Sequence, residues 1–155
     1  MNYLSLEGIM KNSLLDSITA ILPLVVEKCE ALSFTTSFPG DESLVFCMPD
    51  MQDPATAQNK CSRVTETIVA EIDFSSLLPG LTAKFTGIQS PAGNHYAVLL
   101  SQEGEPEENS VILDFTARQF GADAEFPLVM DCWKWQVWTE GKLGRQGNWY
   151  HSYAW

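Results

Sequence analysis

The order of the secondary-structure patterns along the chain restricts the fold more than any other feature. Apolar residues recur at spacings of three and four over residues 9–33 and again over residues 61–72, which predicts two helices, the first kinked or broken at Pro23. From residue 81 onward the pattern changes to β, in the segments LTAKFTGI, HYAVLLS, SVILDFT and CWKWQVW. Helices followed by a run of strands predict an α+β fold, with N-terminal helices packed on an antiparallel sheet.

The length of the chain and its hydrophobic content fit one domain. The chain has 155 residues, of which 45% are hydrophobic and 19% are charged, enough to bury a single core. We therefore expect residues 1–155 to form one domain. It has a helical N-terminal part (1–50), a core that carries the candidate site (55–130) and an aromatic C-terminal strand and tail (131–155).

The charge of the chain restricts its partners. A formal net charge of −11 argues against nucleic acid and anionic membrane, because both are bound through Lys and Arg. No apolar run approaches the length of a membrane span. Residues 18–26 are apolar, but they start too late for an export signal, lack a basic flank and contain Pro23. We expect a cytoplasmic protein with free thiols.

Asp114 interrupts an otherwise apolar segment, SVILDFTARQF (110–120). A carboxylate in such a strand is costly unless a donor pairs with it. Arg118 could form an ion pair with it, and a turn through Thr116 could satisfy it locally.

A hairpin offers Asp114 a third partner. If residues 95–100 and 111–116 pair symmetrically about the acidic loop between them, His95 lies directly opposite Asp114, with Cβ atoms about 4.5–5.5 Å apart. The carboxylate could then accept the Nδ1–H of His95 and hold the ring in one tautomer, as the acid does in a nucleophile–base–acid triad.

Cys61 is the candidate nucleophile. It stands at the start of the second predicted helix, with Asn59 or Thr56 as the expected N-cap, and the N–H groups of a first turn favour a thiolate. The same N–H groups could form an oxyanion hole, with Gln58 and Asn59 as candidate side-chain donors.

The other three cysteines fit the role of nucleophile less well. Cys29 falls late in the first helix, where the dipole disfavours a thiolate, and Cys47 and Cys132 lie in apolar or aromatic segments that predict core positions. A zinc site from Cys47, Cys61, His95 and Cys132 would have a spacing unlike that of paired-ligand sites. We expect neither a metal nor a cofactor.

Three segments together resemble a known family. NKCSRVTETI, GNHYAVLL and VILDFTARQF, within about residues 55–130, look like the papain-like fold, and specifically its compact bacterial toxin and effector branch, which includes glutamine deamidases and proteases. The resemblance implies Cys61 as nucleophile, His95 as general base and Asp114 as the residue that orients it. It also implies hydrolysis of an amide through a thioester.

The function expected from this resemblance is that of a cysteine hydrolase acting on a protein. If the enzyme attacks a glutamine side chain, it is a deamidase, and if it attacks the main chain, it is a protease. If an amine replaces water, it is a transglutaminase. The substrate would lie in a target cell, reached from the producer's cytoplasm by secretion or injection, with a cognate immunity protein or chaperone as a further partner. The alternative is a non-catalytic acidic binding or immunity protein, with Cys61 buried and inert and Asp114 paired with Arg118.

The C-terminal aromatic residues allow two interpretations. As a strand, CWKWQVW places Trp133, Trp135 and Val137 on one face. That face either packs against the first helix or contacts a protein substrate, with Trp133 and Trp135 as candidate binding residues.

Overall fold

The computed structural model describes the backbone of residues 3–152 and the side chains of residues 14–150. The helices are α1 (Tyr3–Glu30), α2 (Pro54–Ala57), α3 (Cys61–Glu71) and α4 (Cys132–Leu143). The strands are β1 (Ser33–Phe34), β2 (Phe46–Cys47), β3 (Leu81–Ser90), β4 (Gly93–Gln102), β5 (Val111–Asp114), β6 (Leu128–Asp131) and β7 (Asn148–Ser152). The predicted α+β class is confirmed.

The strands form two antiparallel sheets. β1 pairs with β2 in a short ribbon, and the remaining five form one sheet in the order β6-β5-β4-β3-β7. Strands β3 to β6 are neighbours in the order in which they occur along the chain, while β7 returns to the outer edge of β3. The candidate site lies on the central strands β4 and β5, where flanking strands support both.

Alternating side chains divide the core into two clusters on opposite faces of the sheet. On one face, Val98 and Leu113 pack in a cluster that includes residues of α1 and α3. On the other, Leu99 and Ile112 pack with Trp135 of α4. The sheet is therefore covered by helices on both sides, and the N-terminal helices occupy one of them.

The helical predictions hold for α3 and need one correction in α1. The helix predicted over 61–72 is confirmed as Cys61–Glu71. The first helix is continuous from Tyr3 to Glu30 with Pro23 inside it, so the predicted break is wrong. Pro23 has no N–H to donate to the carbonyl of Thr19. Because Thr19 and Pro23 both lie on the exposed side of the helix, water can donate to this carbonyl instead.

The C-terminal strand prediction is wrong. CWKWQVW belongs to α4, in which Cys132, Trp135 and Thr139 are buried at spacings of three and four, whereas Trp133 and Val137 are exposed. The aromatic residues favour a strand locally, but burial of one helical face against the sheet decides the conformation. The strands that complete this region, β6 and β7, were not predicted.

Over the described residues, no helix combines the length and the apolar character needed to cross a membrane.

Candidate functional site

The register between β4 and β5 differs from the predicted one. Val98 pairs with Leu113, and continuing this register places Ala97, not His95, opposite Asp114. The predicted register is therefore wrong by two residues. Because side chains alternate with a period of two, this shift leaves His95 and Asp114 on the same face, as diagonal neighbours within reach of a long side chain.

The carboxylate of Asp114 is completely buried and accepts hydrogen bonds from His95, Trp135 and Thr116. His95 Nε2 lies 2.7 Å from Oδ2, and the indole N–H of Trp135 donates to the same oxygen at 2.9 Å. The backbone N–H of Thr116 donates to Oδ1 at 2.9 Å. These donors explain how a charge is accommodated in an apolar strand.

Arg118, the rival partner, binds elsewhere. Its Nε–H donates to the carbonyl of Ala124 at 2.9 Å and its Nη1 to the carbonyl of Gln52 at 3.3 Å. The interpretation of Asp114 as the partner of Arg118 is therefore wrong. The turn through Thr116 is present, but it uses the oxygen that His95 leaves free.

His95 is oriented through Nε2 and not through the expected Nδ1. Nε2 binds Asp114, so the predicted Nδ1 bond is wrong, and among the described residues the buried Nδ1 makes no hydrogen bond. The diagonal approach explains the difference, because the far nitrogen of the ring reaches the carboxylate. Trp135 stacks on the imidazole with ring centroids 5.5 Å apart, and Phe120 meets it edge-on at 4.9 Å.

The charge state of His95 follows from its neighbours. Burial alone would lower the pKa of His95, but the charge and hydrogen bond of Asp114, with a further contribution from Cys61, raise it to about 10. At neutral pH the ring is therefore an imidazolium bound to a carboxylate. The contribution of Cys61 to this pKa indicates that the thiol lies near the imidazole, although the two form no hydrogen bond among the described residues.

Cys61 is the first residue of α3, as predicted, and its side chain is buried, with 8% of it exposed. The N-cap is Lys60, not Asn59 or Thr56, and the side chain of Lys60 forms no capping hydrogen bond in the described structure. The first-turn N–H groups, which have no partner inside a helix, are thus not used by a cap. The structure brings Cys61, His95 and Asp114 together from three elements: α3, β4 and β5.

Lys60 is a residue whose role the sequence does not indicate. It is almost completely buried, and its ammonium group donates to Asp41 Oδ2 at 3.1 Å. It also donates to the carbonyls of Thr56 and Gln58, at 3.1 and 3.2 Å. These bonds tie the segment that precedes the candidate nucleophile to the loop after β1. A lysine between polar residues carries no sequence signal for such burial.

The two candidate oxyanion donors have different surroundings. Gln58 donates through its side-chain amide to the carbonyl of Gln119, in the turn that ends at Phe120. Asn59 has a φ of 62°, in the left-handed region, and lines a cavity of about 720 Å³ together with Ser62. One amide hydrogen of Gln58 is thus already used, and the side chain of Asn59 is exposed beside the start of α3.

The remaining cysteines are free thiols, as expected, and each has an environment that disfavours a thiolate. Burial and the nearby Glu30 raise the pKa of Cys29 to about 12. Burial also raises the pKa of Cys132, which begins α4 instead of lying in a strand. Cys47 is only half-buried, contrary to the predicted core position. Burial and a hydrogen bond to Asp50 raise its pKa.

The two candidate substrate-binding tryptophans differ in their exposure to solvent. Trp135 is completely buried and binds Asp114, so in this structure it has no surface for a substrate. Trp133 is 58% exposed on α4. Among the side chains that the structure describes, no group of three or more His, Cys, Asp or Glu residues could hold a metal ion.

No family model, no curated protein and no solved structure matches this chain. The resemblance to the papain-like toxin branch stays a prediction from the three segments that carry Cys61, His95 and Asp114.

Proposed function

We propose that the protein is a cysteine-dependent amide hydrolase of papain-like fold that acts on a protein substrate. The observation that carries the proposal is the buried hydrogen bond between His95 Nε2 and Asp114, which leaves Nδ1 without a partner among the described residues. Cys61 contributes to the raised pKa of the same ring, which supports a position near it. A nucleophile, a proton carrier and an orienting acid in contact form the minimal arrangement for acyl transfer.

The reaction begins with the proton already on His95. The Cys61 thiolate attacks the amide carbon, and the first-turn N–H groups of α3 stabilise the oxygen that becomes negative. The Nδ1–H of His95 protonates the departing nitrogen, and a thioester with Cys61 remains. Water then attacks the thioester while His95 takes up its proton. The carboxylic acid leaves, and the thiolate–imidazolium pair is restored.

The proposed hydrolysis can take two forms, which differ in the amide that is attacked. Attack on a glutamine side chain releases ammonia and leaves glutamate, whereas attack on the main chain releases a new N-terminus. The resemblance favours these two over transglutaminase-type transfer, in which an amine replaces the water. It also supports a toxin or effector role, with a protein substrate in a target cell and an immunity protein or chaperone as partner.

Mass spectrometry of candidate target proteins after incubation distinguishes the two products. A mass increase of about one dalton on a glutamine-containing peptide indicates deamidation, whereas new peptide termini indicate proteolysis. Cys61→Ala should abolish either product, and Cys47→Ser, which alters a half-buried thiol on β2, should leave it unchanged. Retention of the activity in Cys61→Ala would contradict the proposed nucleophile.

A non-catalytic acidic binding protein is the second candidate. The observation in its favour is burial, because Cys61 is 8% exposed and His95 is completely inaccessible. Under this function His95 and Asp114 form an ion pair whose role is only structural. The two candidates differ in the reactivity of the Cys61 thiol, which a structural role does not enhance.

A further inference from the structure

A second cavity lies on the side of the sheet that α4 covers. Its volume is about 540 Å³, within the range of small-molecule sites. It is formed by β4, the start of α4, the turn over Glu107–Asn109 and β7. The polar and aromatic residues that line it are Glu107, Glu108, Cys132, Trp133, Gln136 and Trp149.

Two indole rings supply the aromatic part of the lining. Trp149 is held in place by its neighbours, because its ring stacks on Trp135 with centroids 6.0 Å apart and its N–H donates to the side chain of Gln136. Trp133, on the first turn of α4, is largely exposed to solvent. The cavity therefore combines one fixed and one accessible indole.

Two acidic residues, Glu107 and Glu108, complete the lining. Glu107 and Glu108 begin the turn that closes the cavity, and the thiol of Cys132 donates to the carbonyl of Glu108 at 3.6 Å, which attaches this turn to α4. The faces of indole rings and carboxylates both attract cations. The net charge of −11 also attracts cations at long range.

One cation of the chain already lies beside the accessible indole. Lys134 Nζ is 5.7 Å from the centroid of the Trp133 ring and 3.8 Å from Asp131 Oδ2. Because Lys134 is exposed, its place beside the indole is open to exchange with a cation from solution.

We propose that this cavity binds an organic cation, either an alkylated ammonium compound or the side chain of a lysine or arginine presented by a polypeptide. The indoles favour a cation that carries apolar groups over a strongly hydrated metal ion, and the carboxylates exclude anions. The site is separate from Cys61 and does not depend on the proposed hydrolysis.

Isothermal titration of the full chain tests the proposal with defined probes. The cationic probes are tetramethylammonium, N-acetyl-arginine methylamide and N-acetyl-lysine methylamide, and neopentyl alcohol is the neutral probe of similar shape. We expect saturable binding of a cationic probe and none of the neutral one. Binding of tetramethylammonium alone identifies a small-molecule site, whereas binding of the amino-acid derivatives identifies a site for a basic side chain.

Two variants connect binding to the cavity. Glu108→Gln removes a charge and keeps the shape of the side chain. Trp133→Leu removes an indole at an exposed position, so the core does not have to repack. Each should weaken binding by about 2- to 30-fold, and Glu103→Gln, in the same acidic loop but outside the lining, should not. Equal binding of the neutral probe, no binding of any cation at about 10 mM, or unchanged affinity in both variants would overturn the proposal.

Discussion

His95 reaches Asp114 diagonally across two paired strands, with its Nε2 at 2.7 Å from Oδ2 although Ala97 occupies the position opposite Asp114. Both side chains have no exposed surface, and the charge and hydrogen bond of Asp114 raise the pKa of His95, which favours the protonated ring in this contact. Trp135 donates to the same carboxylate oxygen and also stacks on the imidazole. The stability of the fold and the proposed chemistry therefore depend on the same three side chains.

The first prediction concerns the pH dependence of stability. The pKa of His95 is raised from 6.5 to about 10 in the folded protein, so its contribution is fully present below about pH 6.5 and is lost as the pH rises through about 10. Urea unfolding of the wild-type protein and Asp114→Asn across this range measures the effect. The wild-type advantage, on the order of a few kcal/mol at neutral pH, should shrink as the pH rises through 10. An advantage that stays constant up to pH 11 would contradict the assigned ion pair.

The second prediction concerns thiol reactivity. Peptide mapping after iodoacetamide treatment at pH 7 should show Cys61 modified about tenfold or more faster than a simple thiol, because the imidazolium stabilises the thiolate. Cys29, buried and with its pKa raised to about 12, should remain unmodified in the folded protein. His95→Ala should remove the enhancement. Asp114→Asn should reduce it, provided that circular dichroism shows both variants folded. Labelling of Cys61 at the rate of a simple thiol would contradict the hydrolase proposal and support the binding protein.

The third prediction separates the two contacts of Trp135. Trp135→Phe keeps an aromatic ring beside His95 but removes the hydrogen bond to Asp114, so we expect the free energy of unfolding to fall by about 1–3 kcal/mol. The labelling rate of Cys61 should fall as well, because the carboxylate loses one of the groups that hold it. Trp138→Phe, on the same helix and against Phe120, is the matched control. Equal labelling rates in the two variants would show that Trp135 only fills space.

The fourth prediction concerns the buried ammonium group of Lys60. Lys60→Met keeps the length of the side chain but removes the donors to Asp41 and to two backbone carbonyls, which should lower the free energy of unfolding by about 1–3 kcal/mol. Hydrogen exchange should quicken in residues 56–61. Arg63→Met removes an exposed cation, its ion pair with Glu66 and its hydrogen bond to the carbonyl of Thr35, and should cost less, about 0–1 kcal/mol, because these contacts are exposed to solvent. Equal effects of the two substitutions would argue against a special role for the buried lysine.

Local sequence patterns are enough to predict some features of this fold. The start of α3 at Cys61 follows from apolar residues spaced along one helical face, and the α+β class follows from the order of the helical and β patterns. The shared face of His95 and Asp114 follows from alternation, which a shift of two residues does not change.

Other features depend on packing between distant segments, which only the folded chain shows. This packing set the register of β4 on β5, and with it the ring nitrogen of His95 that binds Asp114. It also turned the aromatic segment into α4, which places Trp135 on the carboxylate, and it buried Lys60 beneath a loop far away in sequence. For the two buried polar groups, Asp114 and Lys60, the physical reason is the same. A buried polar group takes whichever partner the fold brings within hydrogen-bonding distance, and no local pattern records that partner.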